Sequence, residues 1–427
     1  MKVGRNVRIR EHPAPLYKEE PNVSESKKPL EGVRLIELAN YVAAPIVGRI
    51  AADLGAEVIK IEGRGGDTWR VTGLNHTHSA PEENPVFDVF NVGKKSLSLN
   101  MKTKEGMEIF FKLLEGADIL LTNTRNQSLI KLGVDYESIK DRFPRLIYAT
   151  LTGFGYEGPD RNAPGFDNIA FWARSGFSAD MSIEGPGSYP VNSRLAMGDI
   201  LSGTTLFGGV MTALYQREKT GKGDFVTMSL YNAGIWMMGG CVMAAQDPYC
   251  HPFPEHRNFG TATNLSYRCA DGEWVRCTIF EYDRYANKFF DALGVAEQVA
   301  AFGVTDMGSM VAHANDLVPL FEQIFLTKTS GEWLKIFGEL DIVAGRLSHV
   351  RDVIKDEQAW ANEYLQKYRC VNGVERVMPT VPVRLGSQGA LKFGAPFMCG
   401  DHNRQVLAEL GYSDEQIDAI IAAGALS

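Results

Sequence analysis

A strand–helix–strand pattern near the start of the chain strongly limits the folds that the sequence can adopt. Residues 33–38 (VRLIEL) read as a strand, residues 46–54 as a helix that Gly55 ends, and residues 56–62 (AEVIKIE) as a second strand. Two strands joined by such a helix are parallel, because the helix carries the chain back to the edge where the first strand began. The pattern therefore predicts an α/β fold built on a parallel sheet.

The same alternation continues along the chain. An amphipathic helix over residues 104–115 precedes strands at 118–122 and 146–151. A long apolar helix then follows Asp199 and ends at the glycines of residues 221–223. The sequence thus extends the parallel sheet well beyond its first two strands.

Length and composition narrow the class of protein. With 427 residues the chain is too long for one hydrophobic core, so we expect more than one domain. Its 44 basic and 52 acidic side chains give a net charge of −8, which argues against nucleic acid as the main partner. The sequence shows no signal peptide, no apolar stretch long enough to span a membrane, and no C-x-x-C pair among its six cysteines. These features predict a cytoplasmic enzyme with free thiols.

A glycine-rich segment, residues 153–158 (GFGYEG), matches the spacing of the dinucleotide-binding fingerprint. That fingerprint needs a helix to begin at its last glycine, so that the helix N-terminus faces the pyrophosphate. Pro159 and then Pro164 follow instead. We therefore interpret the segment as a loop and not as a nicotinamide site.

Histidine gives no sign of a metal centre. The close pairs are His76 with His78 and His251 with His256. Neither pair is accompanied by carboxylates or thiols at the spacing of metal ligands. We expect loop or surface histidines, and no metal.

Basic side chains recur around the early strands. Arg125 and Lys131 follow a predicted strand end, which is where parallel sheets bind ligands. Surface lysines beside a helix commonly do no more than keep it hydrated, so a polyphosphate site and a solvated surface are equal alternatives. The set comprises Lys94, Lys95, Lys102, Lys104, Arg125 and Lys131.

Asp199 stands where an irregular segment rich in proline and glycine meets the long apolar helix. An aspartate at such a junction most often caps the helix. The alternative is a carboxylate nucleophile or base, partly desolvated by the apolar helix and flanked by glycine N–H groups. The residue types alone favour the capping role.

From Gly32 onward the chain resembles the family III CoA-transferases, also called the formyl-CoA transferase and carnitine CoA-transferase family. The matching segments occur in order over about nine-tenths of the chain, and only the N-terminal arm lies outside them. They are residues 43–45 (AAP), 52–62 (ADLGAEVIKIE), 65–67 (GGD), 91–100 (NVGKKSLSLN), 118–123, 144–148, 153–155, 158–159, 164–167 (PGFD), Pro396, 400–402 (GDH), 406–407 and 410–412 (LGY).

The resemblance assigns roles to individual residues. The nucleophilic aspartate of the family lies in a (G/A)-D-x-x-x-G pattern, which maps it onto Asp199 with Gly203 as the closing glycine. This mapping reverses the preference for a capping role. Some members carry a glutamine where this chain has Val42, so that side-chain contact is absent. The implied contacts to CoA are Ala43, Leu99, Asn100, Met101, Lys102, Asn123, Thr124, Arg125 and Lys131.

The resemblance also implies an architecture. A large Rossmann-like, CoA-binding domain would be formed by residues 30–224 and 341–427, with a smaller α+β domain inserted at residues 225–340 and an N-terminal arm at residues 1–29. Two chains would interlock as a homodimer. No tightly bound cofactor is expected, because the coenzyme A thioester is a substrate.

The implied reaction passes CoA from an acyl-CoA to a carboxylic acid through an aspartyl anhydride and an aspartyl-CoA thioester. Gly239 and Gly240 are candidates for the backbone donors to the oxyanion. Four segments resemble most the branch that acts on (R)-2-hydroxy acids, the phenyllactate and 2-hydroxyisocaproate CoA-transferases. These segments are residues 36–40 (IELAN), 121–125 (LTNTR), 171–176 (FWARSG) and 356–362 (DEQAWAN).

An apolar acceptor would need an apolar wall beyond Asp199. Six large side chains lie in segments just before or after the Asp199 helix and could supply it, although core packing is the other role open to them. They are Phe171, Trp172, Trp236, Met237, Met238 and Met243.

Two other functions stay open at this point. The 2-methylacyl-CoA racemases share the fold and use the histidine of a G-H-D triplet as a base. Here the triplet is Gly165-Phe166-Asp167, and phenylalanine cannot transfer a proton. A non-catalytic CoA-binding protein is the second alternative, and the presence of Asp199 with its surrounding motifs argues against it.

Overall fold

The structure, a computed structural model, describes residues 28–426, so nearly all of the predicted N-terminal arm lies outside the described residues. The strands are β1 Arg34–Leu38, β2 Glu57–Glu62, β3 Lys95–Ser98, β4 Ile119–Thr122, β5 Ile147–Thr152, β6 Phe225–Ser229, β7 Ser266–Arg268, β8 Trp274–Cys277, β9 Ala344–Arg346, β10 Leu365–Arg369 and β11 Glu375–Pro379.

The helices follow the strands in most of the connections. They are α1 Pro45–Asp53, α2 Thr68–Thr77, α3 Pro85–Asn91, α4 Lys104–Glu115, α5 Asn126–Leu132, α6 Tyr136–Ile139, α7 Phe177–Asp180, α8 Met197–Thr220, α9 Leu230–Met237, α10 Gly239–Ala244, α11 Asn287–Leu293, α12 Ala296–Ala301, α13 Met307–Ala312, α14 Ala314–Phe325, α15 Ser330–Glu339, α16 Val350–Val353, α17 Glu357–Ala361, α18 Asn403–Glu409 and α19 Asp414–Ala422. Two π-helices, Asp167–Ala173 and Tyr282–Ala286, and a short 3₁₀-helix, Ala262–Asn264, complete the set.

Six parallel strands form the central sheet, in the order β3-β2-β1-β4-β5-β6. The chain first builds outward from β1 to β2 and β3, and then returns to the other side of β1 with β4. Ligands of open α/β sheets bind at the carboxyl ends of the strands where the order reverses in this way. The prediction of a parallel α/β sheet is confirmed, and the fold places a binding crevice between β1 and β4.

Helices cover both faces of the sheet, which explains why its strands read as apolar runs. On one face the core contains Val47 of α1 and Val210 of α8. On the other face it contains Phe110 of α4 together with Leu407 and Ile417 from the C-terminal helices α18 and α19. The core on this second face therefore joins residues of the early strands to the C-terminal helices.

A second hydrophobic core lies within residues 262–342, beside the antiparallel sheet β7-β8-β9. Trp333 and Phe321 are fully buried in it. Strand β6, which the sequence-based division assigns to the smaller domain, instead pairs with β5 in the central sheet, with Thr150 opposite Thr227. A five-residue strand carries no mark of the sheet that it joins, so the sequence could not place it. The division of the chain into domains stays a prediction.

The helix that carries Asp199 agrees with the expected long helix but begins at Met197. It ends at Gly221, whose φ of 72° is a left-handed conformation suited to glycine. Over residues 28–426, no helix has both the length and the apolar character required to cross a membrane.

Candidate active site

A cavity of about 880 Å³ lies at the carboxyl ends of β1, β4 and β5. Its wall contains Asp199 and four of the predicted CoA-binding residues, Ala43, Asn123, Thr124 and Arg125. The loop that follows β5 and the first turns of α5 supply most of the remaining wall. The structure therefore brings the predicted nucleophile and part of the predicted CoA site into one crevice.

Five predicted CoA-binding residues do not line this cavity, namely Leu99, Asn100, Met101, Lys102 and Lys131. Leu99 and Met101 have buried side chains in the core beside β3, where Leu99 forms a backbone bridge with Leu426. Asn100 donates from its side chain to the carbonyl of Gly424 at 3.3 Å, and Lys102 and Lys131 are exposed. Strand β3 is the sheet edge, two strands away from β1, so residues that follow it lie to one side of the crevice. Their part in CoA binding stays a prediction.

Asp199 lies in the first turn of α8 but is not its cap. Ala196 occupies the N-cap position in a left-handed conformation, with φ 64°, and provides no side-chain cap. Asp167 provides the cap from outside the helix, since its Oδ1 accepts the backbone N–H of Asp199 at 3.0 Å. Its Oδ2 accepts the hydroxyl of Ser193 at 2.5 Å. The capping role that residue types favour for Asp199 is therefore wrong.

The carboxylate of Asp199 has no hydrogen-bond or ion-pair partner among residues 28–426. Burial and, to a smaller extent, the negative charge of Asp167 together raise its pKa from the usual 3.8 to about 8. Burial raises the pKa of Asp167 as well. A desolvated carboxylate with no partner, facing a cavity, is chemically suited to attack a carbonyl carbon.

The glycines around Asp199 are required by close packing. A Cβ added to Gly198 would lie 2.3 Å from Oδ1 of Asp167 and 2.4 Å from the ring of Phe171. A Cβ added to Gly203 would lie 2.2 Å from the carbonyl oxygen of Ala43. The G-D-x-x-x-G spacing therefore has a steric reason: it lets the first turns of α8 approach Asp167 and the turn before α1.

Asn123 joins the ends of β1 and β4 across the floor of the cavity. Its Oδ1 accepts the backbone N–H of Asn40 at 3.0 Å, and its Nδ2 donates to the carbonyl of Asn40 at 2.7 Å. The side chain is thus occupied in fixing the cavity wall. Arg125, two residues later, is exposed and has no ion-pair partner within the described part of the chain, so its charge is available to an anionic ligand.

The lysines that the sequence groups with Arg125 are not part of the cavity. Lys94 is 2% exposed, and its Nζ lies 2.8 Å from Oε2 of Glu37 and 2.8 Å from the carbonyl oxygen of Pro45. Lys95 is paired with Glu57 and Glu409. Both lysines neutralise carboxylates of the fold, so the basic set is not one phosphate-binding cluster.

The glycine-rich segment forms a loop, as predicted. No helix begins at Gly158, and the next helical residues are those of the π-helix at Asp167–Ala173. Gly155 and Gly158 have φ values of 109° and 83°, which other residues rarely adopt. The loop contributes Arg161 and Phe166 to the cavity, two residues that the sequence did not indicate.

The predicted apolar wall is not formed by the six residues assigned to it. Phe171, Trp172 and Met238 are buried in the protein interior, while Trp236, Met237 and Met243 are exposed and lie outside the cavity wall. Gly239 and Gly240 do not line the cavity either. The aromatic side chains that do line it are Tyr41, Tyr156 and Phe166. No spacing rule indicates these residues, because they come from two loops that meet only in the folded chain.

Comparison with known proteins identifies the family. The model of CoA-transferase family III matches residues 30–403. The (R)-2-hydroxy-4-methylpentanoate CoA-transferase of Clostridioides difficile is 37% identical over 391 residues, which cover 91% of this chain and 97% of that protein. The cinnamoyl-CoA:phenyllactate CoA-transferase of Clostridium sporogenes is 37% identical over 393 residues, covering 91% and 95%.

Solved structures agree with these relatives. A CAIB/BAIF family protein from Brucella suis, 27% identical, superposes with a TM-score of 0.77 and covers 90% of this chain and 100% of its own. The chain belongs to CoA-transferase family III and is an enzyme of that family.

Proposed function

We propose that this enzyme transfers CoA from an acyl-CoA to an apolar 2-hydroxy acid, with Asp199 as the covalent nucleophile. One observation carries the proposal: a carboxylate without a partner among the described residues lines the cavity at the reversal point of the sheet. Phe166 occupies the position where a racemase would need a histidine base, which favours acyl transfer over α-proton chemistry.

The reaction proceeds in four displacements. Asp199 attacks the donor thioester carbonyl, the C–S bond breaks, and CoA leaves as the thiolate from a mixed anhydride. The thiolate attacks the aspartyl carbonyl, which releases the donor acid and leaves an aspartyl-CoA thioester. The acceptor carboxylate displaces the thiolate from that thioester, and the thiolate then takes the acceptor acyl group from the new anhydride. Asp199 is regenerated, and the exchange requires no net proton or electron.

Coenzyme A would be held along the wall formed by β1, β4 and α5. Ala43, Asn123, Thr124 and Arg125 support this placement, because they line the same cavity as Asp199. Arg125 supplies a charge that no described residue neutralises, which suits a phosphate or pyrophosphate group. We retain Leu99, Asn100, Met101, Lys102 and Lys131 as a second set of proposed contacts on the β3 side.

The names of two relatives support the acceptor class, since one acts on (R)-2-hydroxy-4-methylpentanoate and the other on phenyllactate. Both acids carry a hydroxyl on C2 and an apolar side chain. Apolar side chains also line this cavity, including Ile130, Leu151 and Leu230. Each buried methylene group favours binding by about 0.8 kcal/mol, so an apolar acid should outcompete lactate or oxalate.

We also propose that the active form is an interlocked homodimer in the cytoplasm. Large apolar side chains are exposed close together in the sequence on α9, α10 and the segment after them: Trp236 at 77%, Met243 at 60% and Tyr249 at 70%. Surfaces of this kind favour association with a second chain. Light scattering coupled to gel filtration should give twice the chain mass at all dilutions if the dimer is obligate.

A transfer assay tests the proposed activity. Acyl-CoA donors would be combined with phenyllactate, 2-hydroxyisocaproate, lactate and oxalate as competing acceptors, using the wild-type protein and Asp199→Asn. We expect the two apolar acids to be preferred, and Asp199→Asn to lose at least about three orders of magnitude in turnover. Equal turnover by the variant would exclude the assignment of Asp199, and a tenfold preference for oxalate or lactate would exclude the acceptor class.

A further inference from the structure

We propose that Tyr41 and Phe166 form the binding site for the side chain of the transferred acyl group, and that they select an apolar substituent up to the size of a phenyl ring. The inference rests on the proposed function and adds to it the residues that distinguish one acid from another. It follows from two aromatic rings that share the cavity wall with Asp199.

Phe166 is 57% exposed although it is among the most apolar side chains of the chain. The next residue, Asp167, is 7% exposed, so the backbone at this point is held in the protein while the ring projects into the cavity region. An aromatic ring left open in a concave site offers apolar area that a ligand can cover. The apolar part of an acyl group would gain free energy by covering it.

Tyr41 lines the cavity beside Phe166. Its ring meets that of Phe166 edge to face, with centroids 5.4 Å apart and an interplanar angle of 78°. An edge-to-face pair leaves two ring surfaces at nearly a right angle, against which a third ring or a branched alkyl group can pack. The pair therefore has the shape of an apolar corner.

The position of Tyr41 is maintained at a cost in backbone strain. Its φ is 64°, a left-handed conformation that costs a residue with a side chain about 1 kcal/mol or more. The buried carboxylate of Asp67 holds it there, because Oδ1 of Asp67 accepts the N–H of Tyr41 at 3.0 Å and Oδ2 is paired with Lys60 at 2.9 Å. The buried Asp67–Lys60 pair thus holds Tyr41 in a conformation that is unfavourable for its backbone. We infer from this that the position of the Tyr41 ring serves the function of the site.

The corner is also placed correctly for chemistry at Asp199. Phe166 directly precedes Asp167, whose carboxylate accepts the backbone N–H of Asp199 at 3.0 Å. The charged residues of the wall, among them Arg125 and Arg161, suit the phosphates of CoA. Tyr41, by contrast, is flanked by the ring of Trp69 at 6.3 Å and by Phe166, so its surroundings are aromatic.

The test compares acceptors of different size in Phe166→Ala, Phe166→Leu, Tyr41→Ala and Ile169→Ala. Ile169 is the matched control, because it is 56% exposed on the adjoining π-helix and does not line the cavity. The measurement is kcat/KM for phenyllactate, 2-hydroxyisocaproate and lactate with one acyl-CoA donor. Circular dichroism of each variant confirms that it is folded.

We expect Phe166→Ala and Tyr41→Ala to lower kcat/KM for phenyllactate about tenfold or more relative to lactate, while Ile169→Ala leaves the ratio unchanged. Compared with Phe166→Ala, Phe166→Leu should restore kcat/KM for 2-hydroxyisocaproate more than kcat/KM for phenyllactate. If the ratio of phenyllactate to lactate stays constant in every folded variant, the corner does not bind the acyl side chain, although the transferase activity stands. If the wild-type enzyme transfers CoA to none of the three acids, both the corner and the proposed function are overturned.

Discussion

The side-chain Oδ1 of Asp167 accepts a hydrogen bond of 3.0 Å from the backbone N–H of Asp199, so one acidic residue holds the helical turn that carries the other. A carboxylate at this place satisfies N–H groups at the start of α8 that would otherwise be unpaired. It also keeps a negative charge close to the Asp199 carboxylate and thereby adds to the rise in its pKa. Asp167 is thus a positioning residue with an electrostatic effect on the proposed nucleophile.

Asp167→Asn separates these two effects. The amide oxygen can still cap α8, but the negative charge is lost, so the pKa of Asp199 should fall. Because the carboxylate form of Asp199 reacts, the rate should rise with pH through the pKa of the coupled pair, and in Asp167→Asn this rise should move about one pH unit toward acid. Tyr41, Tyr156, Arg125, Glu157 and Arg161 line the same cavity and are unchanged in the variant.

This prediction is tested by measuring kcat as a function of pH for the wild type, Asp167→Asn and Asp167→Ala. Asp167→Ala removes the cap as well and should lower the free energy of unfolding by about 1 kcal/mol more than Asp167→Asn. An unchanged pH profile in Asp167→Asn would show that its charge does not act on the reacting group.

Gly203→Ala tests the close contact between α8 and the turn before α1. The added Cβ would lie 2.2 Å from a backbone oxygen at Ala43, so the helix must shift and the protein should lose about 1–3 kcal/mol of stability as well as activity. Gly208→Ala is the matched control on the same helix, where an added Cβ meets nothing within 4 Å. It should stabilise the helix by about 0.5–1 kcal/mol. Chemical denaturation measures the free energy of unfolding of both variants. Equal changes in the two would show that the helix does not pack closely against Ala43 at Gly203.

Arg125→Ala tests the proposed phosphate contact. Loss of a charge-assisted hydrogen bond should cost about 1.5–3 kcal/mol, which is a rise of about 10- to 150-fold in the KM for the CoA thioester. The KM for the acceptor acid should change much less. Lys104→Ala is a control, since Lys104 is a highly exposed lysine paired with Glu108 at 3.6 Å outside the cavity. Equal increases for both substrates would mean that Arg125 does not bind CoA.

Asp199→Asn should make the protein more stable, and the gain should depend on pH. The pKa of Asp199 is raised from 3.8 to about 8 in the folded protein, so between these values the folded state keeps a proton that the unfolded state has lost. The wild-type residue therefore destabilises the fold increasingly as pH rises from about 4 to 8, whereas asparagine does not titrate. The melting temperature of the variant should exceed that of the wild type more at pH 8 than at pH 5. A constant difference would show that the pKa is not raised.

Local patterns in the sequence were sufficient to predict the main elements of the fold. The parallel sheet, the loop at residues 153–158 and the long helix after Asp199 each depend on neighbouring residues, and the structure has all three. Ala43 and Asn123 meet in the cavity because a parallel sheet brings the ends of its strands to one edge, and the first turn of α8 adds Asp199 to the same wall.

The details of the site could not be predicted, because they depend on contacts between segments that are distant in the sequence. Asp167 and Asp199 are 32 residues apart, and nothing in either segment shows that the first caps the helix of the second. Lys94 resembles a surface lysine in the sequence but is buried against Glu37 in the structure. None of the six large side chains considered for the apolar wall lines the cavity, because apolar character alone does not show whether a side chain faces the core, the cavity or the outer surface.

Trapping the enzyme-bound intermediate tests most directly whether Asp199 is the covalent nucleophile. The wild-type protein would be incubated with an acyl-CoA donor alone, quenched, digested and analysed by mass spectrometry, with Asp199→Asn treated in parallel. We expect a CoA thioester or an acyl adduct on the peptide that contains Asp199, and none on the variant. An enzyme that transfers CoA at the full rate with no adduct on that peptide, or with the adduct at another residue, would show that Asp199 is not the nucleophile.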